Sequence, residues 1–169
     1  MDKSNLPNKR AIRLKDYDYN SPGTYFITIC TKNREEFLSH IRVGTGVLDR
    51  PQNELTKYGQ IASEQLDFMA DFYDDIALDK YVIMPNHIHL LLTVKDSLNG
   101  RSGTPVPTNS IVAKFISTFK RFSNKKCGYN IWQERFYDHI IRNQEDYNEK
   151  WEYIEYNPLK WEQDHLYQK

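Results

Sequence analysis

The chain has 169 residues, of which 39% are hydrophobic and 27% charged, which excludes a fully disordered chain and suits one globular domain. Basic and acidic residues number 23 each, which excludes a uniformly basic nucleic-acid coat. No apolar run approaches the roughly 20 residues of a membrane helix, and no basic-then-apolar leader opens the chain. The two cysteines, Cys30 and Cys127, are too few for a disulfide scaffold and lack metal-type spacing, so a reducing, cytoplasmic location is expected.

The predicted elements alternate between strands, indicated by aromatic and β-branched residues, and helices, indicated by apolar residues at helical spacing. In chain order they are a strand over Gly23–Thr31, a helix over Glu54–Tyr73, a hairpin of Ile76–Met84 and His87–Val94, a second helix capped by Asn109 or Ser110, a strand over Trp132–Arg142, and a last helix from Asn143 to about Asn157. Turn-forming residues predict loops at His40–Asn53 and Asp96–Asn109. This series predicts an α+β fold, a ferredoxin-like antiparallel sheet with helices packed on it.

The balanced charge hides a strong segregation along the chain. Five basic residues and no acidic one lie between Lys3 and Lys15, and the same holds between Lys114 and Lys126. Such separation gives a neutral protein a positive face that attracts phosphate backbones, although a solvated helix surface and a basic tail would explain either patch alone. We expect a basic amino-terminal arm over residues 1–22 and a single domain over residues 23–169.

The sharpest local feature is a pair of histidines in the second strand of the predicted hairpin. On a strand, residues two apart project from one face, so His87 and His89 point the same way while Ile88 and Leu90 point into the core. Two adjacent imidazoles are held neutral most simply by a divalent metal ion. The alternative is a solvated sheet face, and the pair alone is a weak signal.

A second feature lies on the last helix, where Tyr153 and Asn157 stand one turn apart and share a face. Alternatively, Tyr153 packs against the sheet and Asn157 merely ends the helix before Pro158. Combined with the histidines, however, the asparagine gives a three-ligand site with open positions for a phosphate oxygen. A phenol one turn away could then attack a phosphodiester that the metal makes more electrophilic.

Three segments together carry a resemblance to a known family. YVIMPNHIHLLL, then WQERFYDHIIRN, then YIEYNP resemble the single-tyrosine HUH transposases of small bacterial insertion sequences, and most of all the branch associated with repetitive extragenic palindromes. The resemblance covers about Gly23 to Lys160. It departs after Pro158, where related proteins often continue with a small residue and glycine but this chain has Lys160-Trp161-Glu162.

The resemblance implies residue roles and a reaction. His87 and His89 match the HUH motif, Tyr153 matches the nucleophile and Asn157 matches the third metal ligand. It further implies a HUH transposase domain that binds single-stranded DNA beside a hairpin and cleaves it with Mg²⁺ or Mn²⁺, leaving a 5′-phosphotyrosine and a free 3′-OH for rejoining. The alternatives are a non-cleaving hairpin or single-stranded DNA-binding protein of the same fold, and a phosphodiesterase without a covalent intermediate.

Tyr137 is a rival nucleophile, because Asp138 and His139 beside it could assist proton transfer. We prefer Tyr153, since the helical pair supplies nucleophile and ligand together. For Asp138, His139 and Arg142, a sheet-edge network and a DNA or active-site contact both stay open.

The candidate DNA-binding residues form a stripe on the second helix and a cluster in the amino-terminal arm. The stripe consists of Lys114, Thr118, Arg121 and Lys125, and the arm contributes Lys9, Arg10, Arg13 and Lys15. Tyr17, Tyr19 or Trp132 could stack on unpaired bases, although core packing is the better assignment for Trp132. The sequence leaves open whether the unit is a monomer or a homodimer in which the tyrosine helix completes the partner's site.

Overall fold

The structure is a computed structural model that describes residues 21–42, 52–96 and 110–167. Several sequence-based predictions therefore lie outside the described residues: nearly all of the basic arm with its Lys9, Arg10, Arg13 and Lys15, the aromatic pair Tyr17 and Tyr19, and most of the loop at 96–109. Among the described residues no helix combines the length and the hydropathy needed to cross a bilayer.

The described elements follow the predicted order closely. They are β1 (Gly23–Cys30), β2 (Ser39–Arg42), β3 (Gln52–Leu55), α1 (Lys57–Phe72), β4 (Ile76–Ile83), β5 (His87–Val94), α2 (Ile111–Cys127), β6 (Tyr137–Ile140), α3 (Gln144–Tyr156) and a 3₁₀ segment, Pro158–Gln163. Each long helix begins at a side chain that accepts a backbone N–H, as expected of N-caps: Thr56, Ser110 and Asn143.

Four strands form one antiparallel sheet in the order β4-β5-β1-β6. One helix connects β1 to β4 through the β2–β3 ribbon, and another connects β5 to β6, which is the β-α-β-β-α-β arrangement of ferredoxin-like folds. The predicted α+β class and ferredoxin-like sheet are confirmed.

The two faces of the sheet carry different side chains and are covered by different helices. Apolar residues of β1 and β5, such as Ile27 and Leu90, form one buried core with Leu66 of α1 and Phe115 of α2. Strand alternation places His87 and His89 on the opposite face. There α3 packs across β4 and β5, so the histidine face is covered by a separate helix.

The predicted loop at His40–Asn53 is wrong at both ends, because β2 and β3 pair in antiparallel register from Ser39↔Leu55 to Arg42↔Gln52. These strands lack the β-branched pattern that signals a strand. Side chains of Ser39 and Asn53 both donate to the Ile83 carbonyl and so fasten the ribbon to the end of β4. Tertiary contacts of this kind leave no periodic trace in the sequence.

The predicted strand over Trp132–Arg142 is too long. Only Tyr137–Ile140 joins the sheet, and Trp132 forms an isolated bridge with Thr31. Between them the Lys120 ammonium donates to three successive carbonyls, those of residues 133, 134 and 135, at 2.8–3.3 Å. Because these carbonyls point toward one ammonium group, they do not form the regular backbone hydrogen bonds of a strand. Trp132 itself packs in the core, as predicted, and its Nε1–H donates to Ser123 Oγ at 2.7 Å.

A close backbone approach at Gly59 supports the turn that precedes the histidines. A Cβ at this position would lie 2.1 Å from the Leu38 carbonyl oxygen. The backbone N–H groups of Phe37 and Leu38 in turn donate to the Pro85 carbonyl, at 3.0 Å each. Gly59 therefore lets residues 37–38 bridge α1 and the β4–β5 turn.

We expect Gly59→Ala to lower the free energy of unfolding by about 1–3 kcal/mol, because backbone must move to admit the methyl group. Chemical denaturation measures the change. Gln60→Ala, one residue along on the exposed side of the helix, is the matched control and is expected to stay within about 0.5 kcal/mol of the unaltered protein. Equal stabilities for the two variants would contradict the close packing.

Candidate active site

The two histidines of β5 lie side by side beneath α3 and the carboxy-terminal segment. Their ring centroids are 4.4 Å apart, and both residues are at most 1% exposed. Tyr153 of α3 covers His89 and Trp161 of the 3₁₀ segment packs on His87, with ring centroids at 5.2 and 5.8 Å. The alternative that the two histidines lie on a solvated sheet face is therefore excluded, because both are buried.

The hydrogen bonds of the histidines fix how each ring is turned. His87 Nδ1–H donates to Asn86 Oδ1 at 2.8 Å, and His89 Nδ1 bonds Thr28 Oγ1 at the same distance. Both Nε2 atoms are buried and have no hydrogen-bond partner among the described residues. An imidazole held at Nδ1 with Nε2 left over is the arrangement that metal-binding histidines use.

Both imidazoles are disposed to remain neutral. Burial lowers the pKa of His87 to about 4, although the Asp164 carboxylate partly opposes the shift. Burial also holds the pKa of His89 well below its usual value of 6.5, and the neighbouring His87 adds to the effect. Neutral imidazoles with free lone pairs are competent ligands without prior loss of a proton.

Tyr153 contacts this histidine pair within the same chain. Its ring stands edge-on to His89 and to Phe26, with the centroids 5.2 and 5.8 Å away, and the residue remains 36% exposed. The phenolic O–H donates to Asp164 Oδ2 at 2.9 Å. Burial and then Asp164 raise the pKa of this phenol well above its usual value, so the hydroxyl is protonated at neutral pH.

Asn157 lies one turn beyond Tyr153 and is buried at the end of α3. Its Nδ2 donates to Asp164 Oδ2 at 2.8 Å, whereas its Oδ1 has no partner within the described residues. The three predicted metal ligands, His87, His89 and Asn157, thus each present one buried, unpartnered donor atom. Two imidazole nitrogens and an amide oxygen suit a divalent ion such as Mg²⁺ or Mn²⁺.

Asp164 is a further site residue, and the sequence interpretation missed it. One ligand atom from each of His87, His89 and Asp164 lies within 4.8 Å of the other two. This carboxylate also accepts hydrogen bonds from both Tyr153 and Asn157, so it connects the histidines to the helix. No spacing rule points to it, since it lies beyond the last helix in a segment whose shape depends on tertiary contacts.

Tyr137 occupies a more distant place on the same face. Its cross-strand partner is Thr28 of β1, and Thr28 is in turn opposite His89. Because the two residues lie two strands apart, at about 4.8 Å per strand, their backbones are separated by roughly 10 Å across the sheet. Both tyrosines border one groove of about 500 Å³, but only Tyr153 packs directly on a histidine ring.

The acidic and basic groups near Tyr137 form a network at the sheet edge. His139 Nε2 lies 2.9 Å from the Asp146 carboxylate, and the backbone N–H of Arg142 donates to the same group at 3.1 Å. These contacts join β6 to the start of α3. Asp138 and His139 also border the groove, so a role toward a ligand stays a prediction.

The structure does not bring the predicted DNA-binding stripe to the histidines. Lys114, Arg121 and Lys125 are exposed on α2, which packs on the other face of the sheet. Thr118 is half-buried and accepts a hydrogen bond from the Tyr73 hydroxyl at 3.4 Å. Cations nearer the site are Arg34 and Lys150, which border the groove beside Tyr153.

Comparison with known proteins identifies relatives of this chain. The chain is 33% identical over 177 residues to an uncharacterised protein of Haemophilus influenzae, covering 96% of this chain and 94% of that protein. It is 27% identical to the REP-associated tyrosine transposase of Escherichia coli K12, covering 84% of this chain and 70% of the relative. No protein-family model matches the chain.

The fold also matches a solved structure, described as a REP-associated tyrosine transposase bound to a REP hairpin. The TM-score is 0.61 at 24% identity, over 88% of this chain and 74% of that one. The chain therefore shares the fold of this solved structure, and its sequence is similar to REP-associated tyrosine transposases. This similarity confirms the resemblance carried by the three motifs.

The lowered histidine pKa values predict an acid-sensitive fold in the metal-free protein. In the unfolded chain the imidazoles take up protons below about pH 6.5, whereas in the folded protein the pKa of His87 is about 4 and that of His89 lies well below 6.5. The unfolded state then binds more protons, so the free energy of unfolding falls as the pH falls through this interval. Thermal unfolding at a series of pH values with a chelator present measures it.

The double variant His87→Gln/His89→Gln should show a shallower fall in melting temperature over the same interval. His40→Gln, a change at an exposed histidine of β2, is the control and should keep the original slope. A double variant with an unchanged slope would show that the buried pair does not contribute.

Proposed function

We propose that this protein is a transposase, a metal-dependent DNA strand transferase that cleaves and rejoins single-stranded DNA near hairpins through a 5′-phosphotyrosine intermediate. Tyr153 is the proposed nucleophile, and His87, His89 and Asn157 are the proposed metal ligands. One observation carries the proposal: the Tyr153 ring packs on His89, and its hydroxyl bonds a carboxylate that lies within 4.8 Å of both histidines.

The chemistry follows from the positions of these groups. Mg²⁺ or Mn²⁺ bound to the two Nε2 atoms and Asn157 Oδ1 would supply Lewis acidity toward a non-bridging phosphate oxygen. The Tyr153 oxygen forms a bond to phosphorus while the bond from phosphorus to the 3′ oxygen breaks. The phenol gives up its proton and the departing 3′ oxygen gains one, so the products are a phosphotyrosine and a 3′-OH. The reverse reaction rejoins a strand.

The groove beside Tyr153 is suited to an unpaired strand. Its volume of about 500 Å³ is bordered by Phe26, Arg34 and Lys150. Guanidinium and ammonium groups bind phosphates, and an aromatic ring offers a stacking surface to a base. Phe26 stacks on His89 with the centroids 5.0 Å apart, which places such a surface next to the reacting groups.

Domain layout and location are part of the proposal. A basic arm over residues 1–22 would add phosphate contacts to one HUH domain over residues 23–169. Both cysteines are free thiols, as a reducing cytoplasm that contains the DNA substrate would require. All four proposed catalytic and metal-binding residues lie in one chain, so a homodimer is not needed to assemble them.

The nucleophile is tested by covalent capture. With labelled, hairpin-flanked single-stranded DNA and Mn²⁺, we expect a protein–DNA adduct that survives denaturing electrophoresis. Tyr153→Phe should lower adduct formation by more than about 1000-fold, because no other atom at that place can form the bond. Tyr137→Phe is the matched control and should keep the adduct, and chelation of the metal should remove it.

Other outcomes select the alternatives. DNA binding without cleavage would favour a non-cleaving hairpin-binding protein of the same fold. Cleavage without attachment would favour a phosphodiesterase that uses water. Loss of the adduct in Tyr137→Phe but not in Tyr153→Phe would exchange the roles of the two tyrosines.

The α2 stripe is tested by the salt dependence of DNA binding. We expect Lys114→Ala/Arg121→Ala/Lys125→Ala to weaken binding and to reduce the slope of log K against log salt by about one for each lost phosphate contact. Adduct formation at saturating DNA should be unchanged, since the stripe lies across the sheet from Tyr153. Lys57→Ala/Lys95→Ala, at exposed lysines outside the stripe, is the control. If the control weakens DNA binding and lowers the salt slope as much as the stripe variant does, the stripe has no specific role in binding.

A further inference from the structure

The carboxy-terminal segment, residues 158–167, covers His87, whereas α3 covers His89. Trp161 and Leu166 of this segment are buried, and the Asp164 side chain is only 1% exposed. The segment begins directly after Asn157, so the helix that bears Tyr153 continues into it without an intervening loop.

Asn86 fastens the segment to the histidine strand. Its Nδ2 donates to the Leu166 carbonyl at 2.9 Å, and its Oδ1 accepts from His87 Nδ1. The donor and acceptor ends of one buried amide therefore set the orientation of His87 and the position of residue 166 together. Trp161 packs on the His87 ring and adds an apolar contact to the same junction.

The Asp164 carboxylate is held in place from three directions. Oδ2 accepts from the Tyr153 hydroxyl and from Asn157 Nδ2, and Oδ1 accepts from the Leu166 backbone N–H at 2.7 Å. Within the described residues no lysine or arginine pairs with it, and Nδ1 of the surface residue His165 lies 3.5 Å from Oδ1. Burial of an ionised carboxylate is favourable where hydrogen bonds, a cation or both complete its surroundings.

The charge of the proposed metal site points to the same group. Two neutral imidazoles and an amide contribute no negative charge, whereas Mg²⁺ and Mn²⁺ sites characteristically include a carboxylate. Asp164 is the carboxylate that lies with both histidines inside a 4.8 Å cluster. A ligand set of two nitrogens and two oxygens would still leave positions for a phosphate.

We propose that Asp164 is a metal ligand, supplied by the carboxy-terminal segment, and that it couples metal binding to the placement of Tyr153 and Asn157. The inference rests on the metal dependence proposed above. It adds a fourth ligand to His87, His89 and Asn157 and makes residues 158–167 part of the active site.

Calorimetric titration with Mn²⁺ alone tests the assignment without reference to activity. Asp164→Asn keeps the size of the side chain and removes its charge, and we expect its affinity for Mn²⁺ to fall by about tenfold or more. Glu162→Gln removes one charge from an exposed site two residues away and should bind as the unaltered protein does. Equal affinities for Asp164→Asn and the unaltered protein would overturn the proposal.

A second measurement needs no variant and so does not depend on whether Asp164→Asn folds. Crystals of the unaltered protein grown with Mn²⁺ locate the ion by its anomalous signal. An Asp164 oxygen at about 2.1–2.2 Å from the ion supports the proposal. An ion on both histidines with the carboxylate beyond about 3.5 Å overturns it.

The two proposals fail in different ways. If the unaltered protein binds Mn²⁺ through the histidines and forms the adduct while Asp164→Asn binds equally well, only the role of Asp164 is wrong. If His87→Ala/His89→Ala and the unaltered protein bind Mn²⁺ equally weakly and no adduct forms, the metal-dependent function itself is wrong. Faster adduct formation by Asp164→Asn with unchanged Mn²⁺ affinity would mark Asp164 as an obstacle to the reaction and would also overturn the inference.

Discussion

Two neighbouring imidazoles, neutral and removed from water, are the constraint on which the rest of this structure depends. Burial of His87 and His89 would be unfavourable if either ring were charged, and the same burial lowers both pKa values. Asn86 and Thr28 hold the Nδ1 atoms, so each ring has one fixed orientation and an Nε2 atom left over. The groups of α3 and of the carboxy-terminal segment then surround a space that these two nitrogens already define.

The two faces of the ferredoxin-like sheet differ in role: one packs in the apolar core, and the other bears the candidate site. One face is closed by α1 and α2 over a continuous apolar core, which makes β5 a rigid platform. The other face carries the histidines, and α3 crosses it with its tyrosine against His89. Because this sheet and the tyrosine helix are separate elements, Tyr153 can be placed to within a few ångströms of the histidines without disturbing the core.

Much of the site could be predicted from the sequence, since it depends on local periodicity. Strand alternation correctly put His87 and His89 on one face, and helical spacing correctly put Tyr153 and Asn157 on another. Asp164 could not be found in this way, because its position depends on the bond from Asn86 to Leu166 and on Trp161 packing. The β2–β3 ribbon and the late beginning of the strand predicted at 132–142 were missed for the same reason: Ser39, Asn53 and Lys120 act through contacts distant in sequence.

The placement of residues 158–167 has a consequence for protein synthesis. Of the described residues these are the last to leave the ribosome, after the sheet and all three long helices have become available to fold. A nascent chain that ended at Tyr156 would already contain both histidines and the phenol of the site. It would still lack the amide of Asn157, the carboxylate of Asp164 and the indole of Trp161, which packs on His87. The proposed strand transferase would thus acquire its complete set of reacting groups only after residue 164 has been synthesised.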